Sequence, residues 1–173
     1  MSTVDLAARI RDVPDFPQPG VVFKDIMPLL ADGEALSEAV RQLAEWAEPR
    51  RPDIVLGAEA RGYITGGALA CRLQCGFVAA RKPGKLPWRT VAAKYALEYG
   101  FDTLEVHADA ISAGQRVLIH DDVLATGGTA KATVELVEQL GGEVVGLPFL
   151  IELEFLHGRS KLEGYEVFSL IQY

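Results

Sequence analysis

Val117-Leu118-Ile119-His120-Asp121-Asp122-Val123-Leu124-Ala125-Thr126-Gly127-Gly128-Thr129 is the stretch on which the reading of this chain turns. From Arg116 to His120 the residues are mostly apolar and β-branched, as in a strand buried on both faces of a parallel sheet. Two adjacent carboxylates are expected to end it. Small residues and glycine follow, and then Ala130, Val134 and Val137 recur at helical spacing until Gly141-Gly142 stops the pattern. The order is strand, acidic pair, glycine loop, helix.

A helix N-terminus presents unpaired N–H groups and the positive end of the dipole, and side chains no larger than Thr leave an anion free to approach. Asp121 and Asp122 would repel the same anion, but carboxylates accept hydrogen bonds from vicinal sugar hydroxyls. A sugar monophosphate satisfies both halves. The loop lacks the Gly-Lys-Ser/Thr ending of a Walker loop, and no G-x-G-x-x-G follows a strand. Two acids, two apolar residues and Ala125-Thr126-Gly127-Gly128-Thr129 resemble the phosphoribosyl pyrophosphate (PRPP) motif of type I phosphoribosyltransferases. The resemblance implies that Ala125 to Thr129 hold a 5′-phosphate and that Asp121 and Asp122 hold the ribose hydroxyls.

Bulk properties fit one compact domain: 173 residues, 49% of them hydrophobic, with mean hydropathy +0.15. No 18-residue apolar run is present and Met1 to Phe16 lacks the layout of a signal peptide, so a cytoplasmic, non-membrane protein is expected. Cys71 and Cys75 read as reduced thiols. A net charge of −7 opposes general nucleic-acid binding. Its distribution says more: from Ala60 to Leu97 there is no acid, but there are Arg61, Arg72, Arg81, Lys82, Lys85, Arg89 and Lys94. A site for a highly charged anion needs such segregation, which a solvated face also produces.

Leu6 and Ile10 predict a short helix within Val4 to Asp12, and Pro14, Pro17 and Pro19 predict an extended arm without regular structure. The arm enters a β-prone segment, Gly20-Val21-Val22-Phe23-Lys24-Asp25-Ile26. A helix beginning at Asp32 or Gly33 carries the stripe Leu36, Ala39, Val40, Leu43, Ala47. Asp53 to Gly57 reads as a strand, followed by a turn through Ala58-Glu59-Ala60-Arg61-Gly62 and a helix from about Tyr63 to Leu73. This second strand-loop-helix puts its loop where open α/β sheets bind ligands. Arg61 at a helix start opposes the dipole, and a bound anion would remove the conflict. Gly76 to Ala80 reads as a third strand. Residues 82–102 have no clean period, and a long loop of this kind is usually functional, with a β-hairpin arm as the alternative. Leu104 to Ala108 reads as a strand with a surface His107, and Glu143 to Glu152 as the last strand, where Pro148 argues for an edge or a bulge.

Several of these segments resemble adenine phosphoribosyltransferases. Gly20 to Asp25 is similar to the family's hood segment, which implies that Phe23 stacks on the base with Lys24 beside it. The Arg61 turn resembles the pyrophosphate loop, in which the peptide bond before the arginine can be cis. Lys85-Leu86-Pro87 through Leu97-Glu98-Tyr99-Gly100 resembles the mobile catalytic loop, with Glu98 at the acid/base position and Tyr99 beside it. Leu153 to Gly158 and Leu162 resemble the purine-binding segment, with Leu156 packing on the base opposite the aromatic. His120 departs from the family, which usually has an apolar residue there, and a neutral, hydrogen-bonded imidazole is expected.

The fold expected is α/β, a mostly parallel sheet flanked by helices, with a small hood from about 14–27 and 152–162. The resemblance implies transfer of the phosphoribosyl group of PRPP to adenine, giving AMP and pyrophosphate. Arg61, Arg81, Lys82 and Lys85 would neutralise the pyrophosphate. Mg²⁺ would be held mainly by PRPP, and the active form would be a homodimer. A phosphoribosyltransferase for xanthine or guanine, and a non-catalytic PRPP-binding regulator, are the two alternatives.

Overall fold

The computed structural model describes residues 4–96 and 101–173. At its start the expected helix is reduced to a 3-10 turn, Ala7–Arg9, with Leu6 buried beneath it. The arm is not free of regular structure: β1 (Arg11–Pro14) pairs antiparallel with β2 (Val22–Asp25), Val13 facing Phe23. Pro14 is tolerated because a two-stranded ribbon leaves one edge of each strand unpaired. A short α1 (Met27–Ala31) leads to α2 (Gly33–Ala47), which Asp32 caps by accepting hydrogen bonds from the backbone N–H groups of Glu34 (3.0 Å) and Ala35 (3.1 Å).

Next come β3 (Ile54–Ala58), α3 (Gly62–Leu73), β4 (Gly76–Ala80), β5 (Thr90–Ala96), β6 (Phe101–His107), β7 (Arg116–Leu124), α4 (Gly128–Gln139), β8 (Glu143–Glu152) and β9 (Val167–Gln172). The main sheet has five strands in the order β4-β3-β7-β8-β9, all parallel. Alternation along the buried strands divides the core. Ile54, Leu56, Val117 and Ile119 meet α4 residues such as Leu136 and Val137, whereas Val55 and Leu118 meet Leu43 and Ala47 of α2 and Leu69 of α3.

Further expectations need correction. β8 is not the last strand, because β9 pairs beyond it, and Pro148 lies inside the sheet opposite Phe168. The irregularity falls three residues earlier, where the β7–β8 register skips Val145. The acidic pair does not end β7, which continues through it to Leu124. Within the span 82–102, the described residues on either side of 97–100 pair: β5 and β6 form an antiparallel ribbon packed on α4. His107 is half-buried, and its Nε2 is shielded with no hydrogen-bond partner among the described residues.

Candidate active site

The carboxyl ends of β3, β7 and β8 converge, together with the β1–β2 ribbon, on a cavity of about 500 Å³. Its walls include Phe23, Lys24, Arg61, Lys82, Asp121, Asp122, Ala125 and Thr129. Residues singled out in four parts of the sequence are thus brought together. A smaller recess of about 70 Å³ is lined by Asp121, Ala125, Thr126, Gly127, Gly128 and Thr129 at the N-terminus of α4.

That recess has the features of an anion cradle. Gly127 has φ +77°, and its missing side chain lets the loop meet the backbone of Gly158, whose carbonyl a Cβ would strike. Gly158 is tight in return, since a Cβ there would collide with the carbonyl of Ala125 and lie 2.9 Å from the nitrogen of Gly127. α4 then begins at Gly128, with no side-chain cap competing for its first N–H groups.

The acid pair sits at the floor. Asp122 is 5% exposed and accepts a 2.5 Å charge-assisted hydrogen bond from Nε of Arg61. Asp121 accepts from the backbone N–H of Asp122 at 2.9 Å. Burial, reinforced by the charge of Asp122, pushes the Asp121 carboxyl well above the ordinary carboxylate range, with Arg61 acting the other way. The cis peptide lies one bond earlier than the one joined to Arg61, between Glu59 and Ala60.

Cations assigned to the anion are not bare. Arg61 pairs with Asp122, Lys82 with Asp102, and both Arg81 (3.0 Å) and Lys85 (2.9 Å) with Glu59. Burial pushes the Glu59 carboxyl up, but hydrogen bonds from Lys85 and Arg81 outweigh it and hold the group below its usual range. The acid-free stretch therefore does not make an acid-free surface: Glu59, Asp102 and Asp122 fold in from outside it. A polyanion entering here exchanges places with carboxylates, so its gain is a difference between two sets of ion pairs.

Phe23 meets Phe16 edge-on at 5.3 Å, and the Arg61 guanidinium lies 5.1 Å from its ring centre. The residue sharing the Phe23 cavity from the C-terminal segment is Leu153. Leu156, 36% exposed, instead lines an adjoining cavity of about 570 Å³ with Thr126, Lys24 and Tyr173. Lys24 is anchored by Asp12 at 2.7 Å and lies 3.9 Å above the Tyr173 ring centre. Glu98 and Tyr99 fall outside the described residues. Sequence reasoning placed Leu153 in the purine-binding segment and Glu59 in the Arg61 turn but gave neither a role of its own, although each immediately follows a strand end, where ligands of parallel sheets bind.

His120 matches its expectation. It is fully buried, its Nδ1 lies 2.8 Å from the carbonyl of Pro148 and its Nε2 lies 2.7 Å from the Thr65 hydroxyl. Burial lowers its pKa to about 4.

The model of the phosphoribosyl transferase domain matches residues 26–171. The chain is 57% identical over 173 residues to an adenine phosphoribosyltransferase of Desulfitobacterium hafniense, covering 100% of both chains. Among solved structures it resembles that of an adenine phosphoribosyltransferase from Thermoanaerobacter pseudethanolicus, with TM-score 0.96, 51% identity and 98% of each chain covered. It also resembles the Saccharomyces cerevisiae enzyme complexed with adenine and an imino-altritol bisphosphate, with TM-score 0.92, 39% identity and 96% of each chain covered.

Proposed function

The chain belongs to the phosphoribosyl transferase family, with adenine phosphoribosyltransferases as its full-length relatives, and from that membership we propose that it joins adenine to PRPP, releasing AMP and pyrophosphate. The observation that carries the reading to this chain is a cavity with an aromatic wall and the acid pair, which shares Asp121, Ala125 and Thr129 with the glycine recess at the start of α4.

The roles follow from chemistry. N–H groups at the start of α4 hold the 5′-phosphate. Asp121 and Asp122 take the ribose hydroxyls, which requires Arg61 to release Asp122 and turn to the leaving pyrophosphate. Arg81, Lys82 and Lys85 supply further positive charge to that group. As the bond to pyrophosphate breaks, positive charge develops on the ribose ring, and fixed carboxylates beneath it stabilise the separating charges. Phe23 and Leu153 flank the adenine ring. Glu98, on a loop that closes over the site, accepts the imidazole proton as the ring nitrogen bonds to ribose.

The hard oxygens of the acid pair suit Mg²⁺, while among the described residues no three metal-binding side chains converge. Asp121 and Asp122 would therefore meet the ion already carried by PRPP, where it neutralises charge on the diphosphate. A homodimer and a cytoplasmic location complete the reading; among the described residues no helix is long and apolar enough to cross a membrane.

Glu98→Gln tests the catalytic part. It keeps the shape of the side chain and removes the base, so kcat should fall on the order of 10²–10⁴-fold with PRPP affinity retained. Parent-like turnover of the Gln variant would assign the proton to water and Glu98 to the surface.

A further inference from the structure

The carbonyl of Pro148 can only accept, so the 2.8 Å contact fixes the proton of His120 on Nδ1. Nε2 is then a lone pair, and the Thr65 hydroxyl donates to it across 2.7 Å. Thr65 is as buried as His120, and neither lines the cavities of the site. The two bonds thread β8, β7 and α3 together through a single ring.

α3 lies close on β7 here. A Cβ on Gly62 would sit 2.6 Å from Oδ1 of Asp121, and one on Gly66 would sit 3.3 Å from Cδ2 of His120. Such contacts limit how near the helix comes but leave it free to slide or turn. A directed hydrogen bond removes that freedom. Thr65 stands one helical turn after Arg61, and His120 directly precedes Asp121, so the tie spans the two halves of the site: the Arg61 loop on one side and the acid pair on the other.

We propose that the Thr65–His120–Pro148 hydrogen-bond chain is a positioning device that sets the Arg61 loop against the acid pair, and thereby governs affinity for ligands that carry a pyrophosphate group. The inference rests on the functional reading above. PRPP engages both halves and pyrophosphate engages the Arg61 half, whereas AMP needs only the acid pair, the α4 cradle and the base walls. Loosening the tie therefore separates the ligands.

Three variants dissect it, each titrated with AMP, PRPP and pyrophosphate alongside a melting curve. Thr65→Val preserves shape and removes the donor. His120→Asn keeps a donor near the Nδ1 position and loses the link to Thr65; His120→Gln keeps an acceptor near the Nε2 position and loses the link to Pro148. Thr65→Val and His120→Asn should weaken PRPP and pyrophosphate by about five- to tenfold, the scale of one lost hydrogen bond, and leave AMP unchanged. His120→Gln should lower the melting temperature yet bind PRPP like the parent. Equal weakening of all three ligands, a fall in melting temperature alone for Thr65→Val, or a Gln variant indistinguishable from the Asn variant would each overturn the proposal. A parent protein that binds neither AMP nor PRPP would instead bring down the functional reading itself.

Discussion

At the start of α3 a cation faces the positive end of a helix dipole, and its ion pair with Asp122 offsets it. Removing that cation from a nearly buried carboxylate leaves an unpaired charge beside Asp121. Arg61→Ala should weaken PRPP and pyrophosphate by roughly 10- to 100-fold, since charge-assisted hydrogen bonds are worth about 1.5–3 kcal/mol, and weaken AMP much less. Titration calorimetry measures the split, and equal losses for AMP and PRPP would place Arg61 outside the pyrophosphate subsite. His120 gives a second residue-level prediction. Its folded pKa of about 4 lies below the ordinary 6.5, so the unfolded chain binds the proton first as pH falls. This contribution to stability is complete above about pH 6.5 and is lost as the pH approaches 4, amounting to on the order of 2 kcal/mol at pH 5. Urea unfolding at pH 7 and pH 5 should therefore show a shallower loss in His120→Val than in the parent; identical pH slopes would contradict a buried neutral imidazole.

Among the elements, the C-terminal segment and the glycine loop before α4 depend on each other through two glycines. Gly158→Ala forces the Ala125–Gly127 backbone to move, at a cost of about 1–3 kcal/mol for overpacking. AMP affinity should fall at least about tenfold, because N–H groups that must converge on one phosphate tolerate little displacement. Unchanged AMP binding in a folded Gly158→Ala protein would show that the loop is not the cradle. The sequence makes one partner of this contact readable and hides the other. Gly127 announces itself within a strand-loop-helix pattern, whereas Gly158 follows a segment with no period. The same difference explains β9, since Val167 to Gln172 is short and its apolar and polar residues do not alternate. Pro148 suggested an edge that β9 then occupied. Arg81 and Lys85 looked like bare charge because Glu59, which holds both, lies outside their stretch of chain. Strand-loop-helix units are local and legible; which carboxylate reaches which cation is settled only by folding.

For the whole molecule, the five parallel strands place their carboxyl ends together, and the β1–β2 ribbon and C-terminal segment roof the cavity that results. This arrangement explains how one chain brings the glycine recess, the acid pair and the Phe23 wall to the same edge of the sheet. It also explains why the acid pair and the glycine loop decided the fold class: both belong to the central strand of the sheet and the turn that leaves it. The central claim is that the cavity joins adenine to PRPP. The most direct test supplies the purified protein with Mg²⁺, PRPP and, in separate reactions, adenine, guanine, hypoxanthine and xanthine, and follows nucleotide and pyrophosphate together. AMP and pyrophosphate formed in equal amounts from adenine, with the other bases little used, is the predicted result; no nucleotide from any base, or preferential use of a base other than adenine, would contradict it.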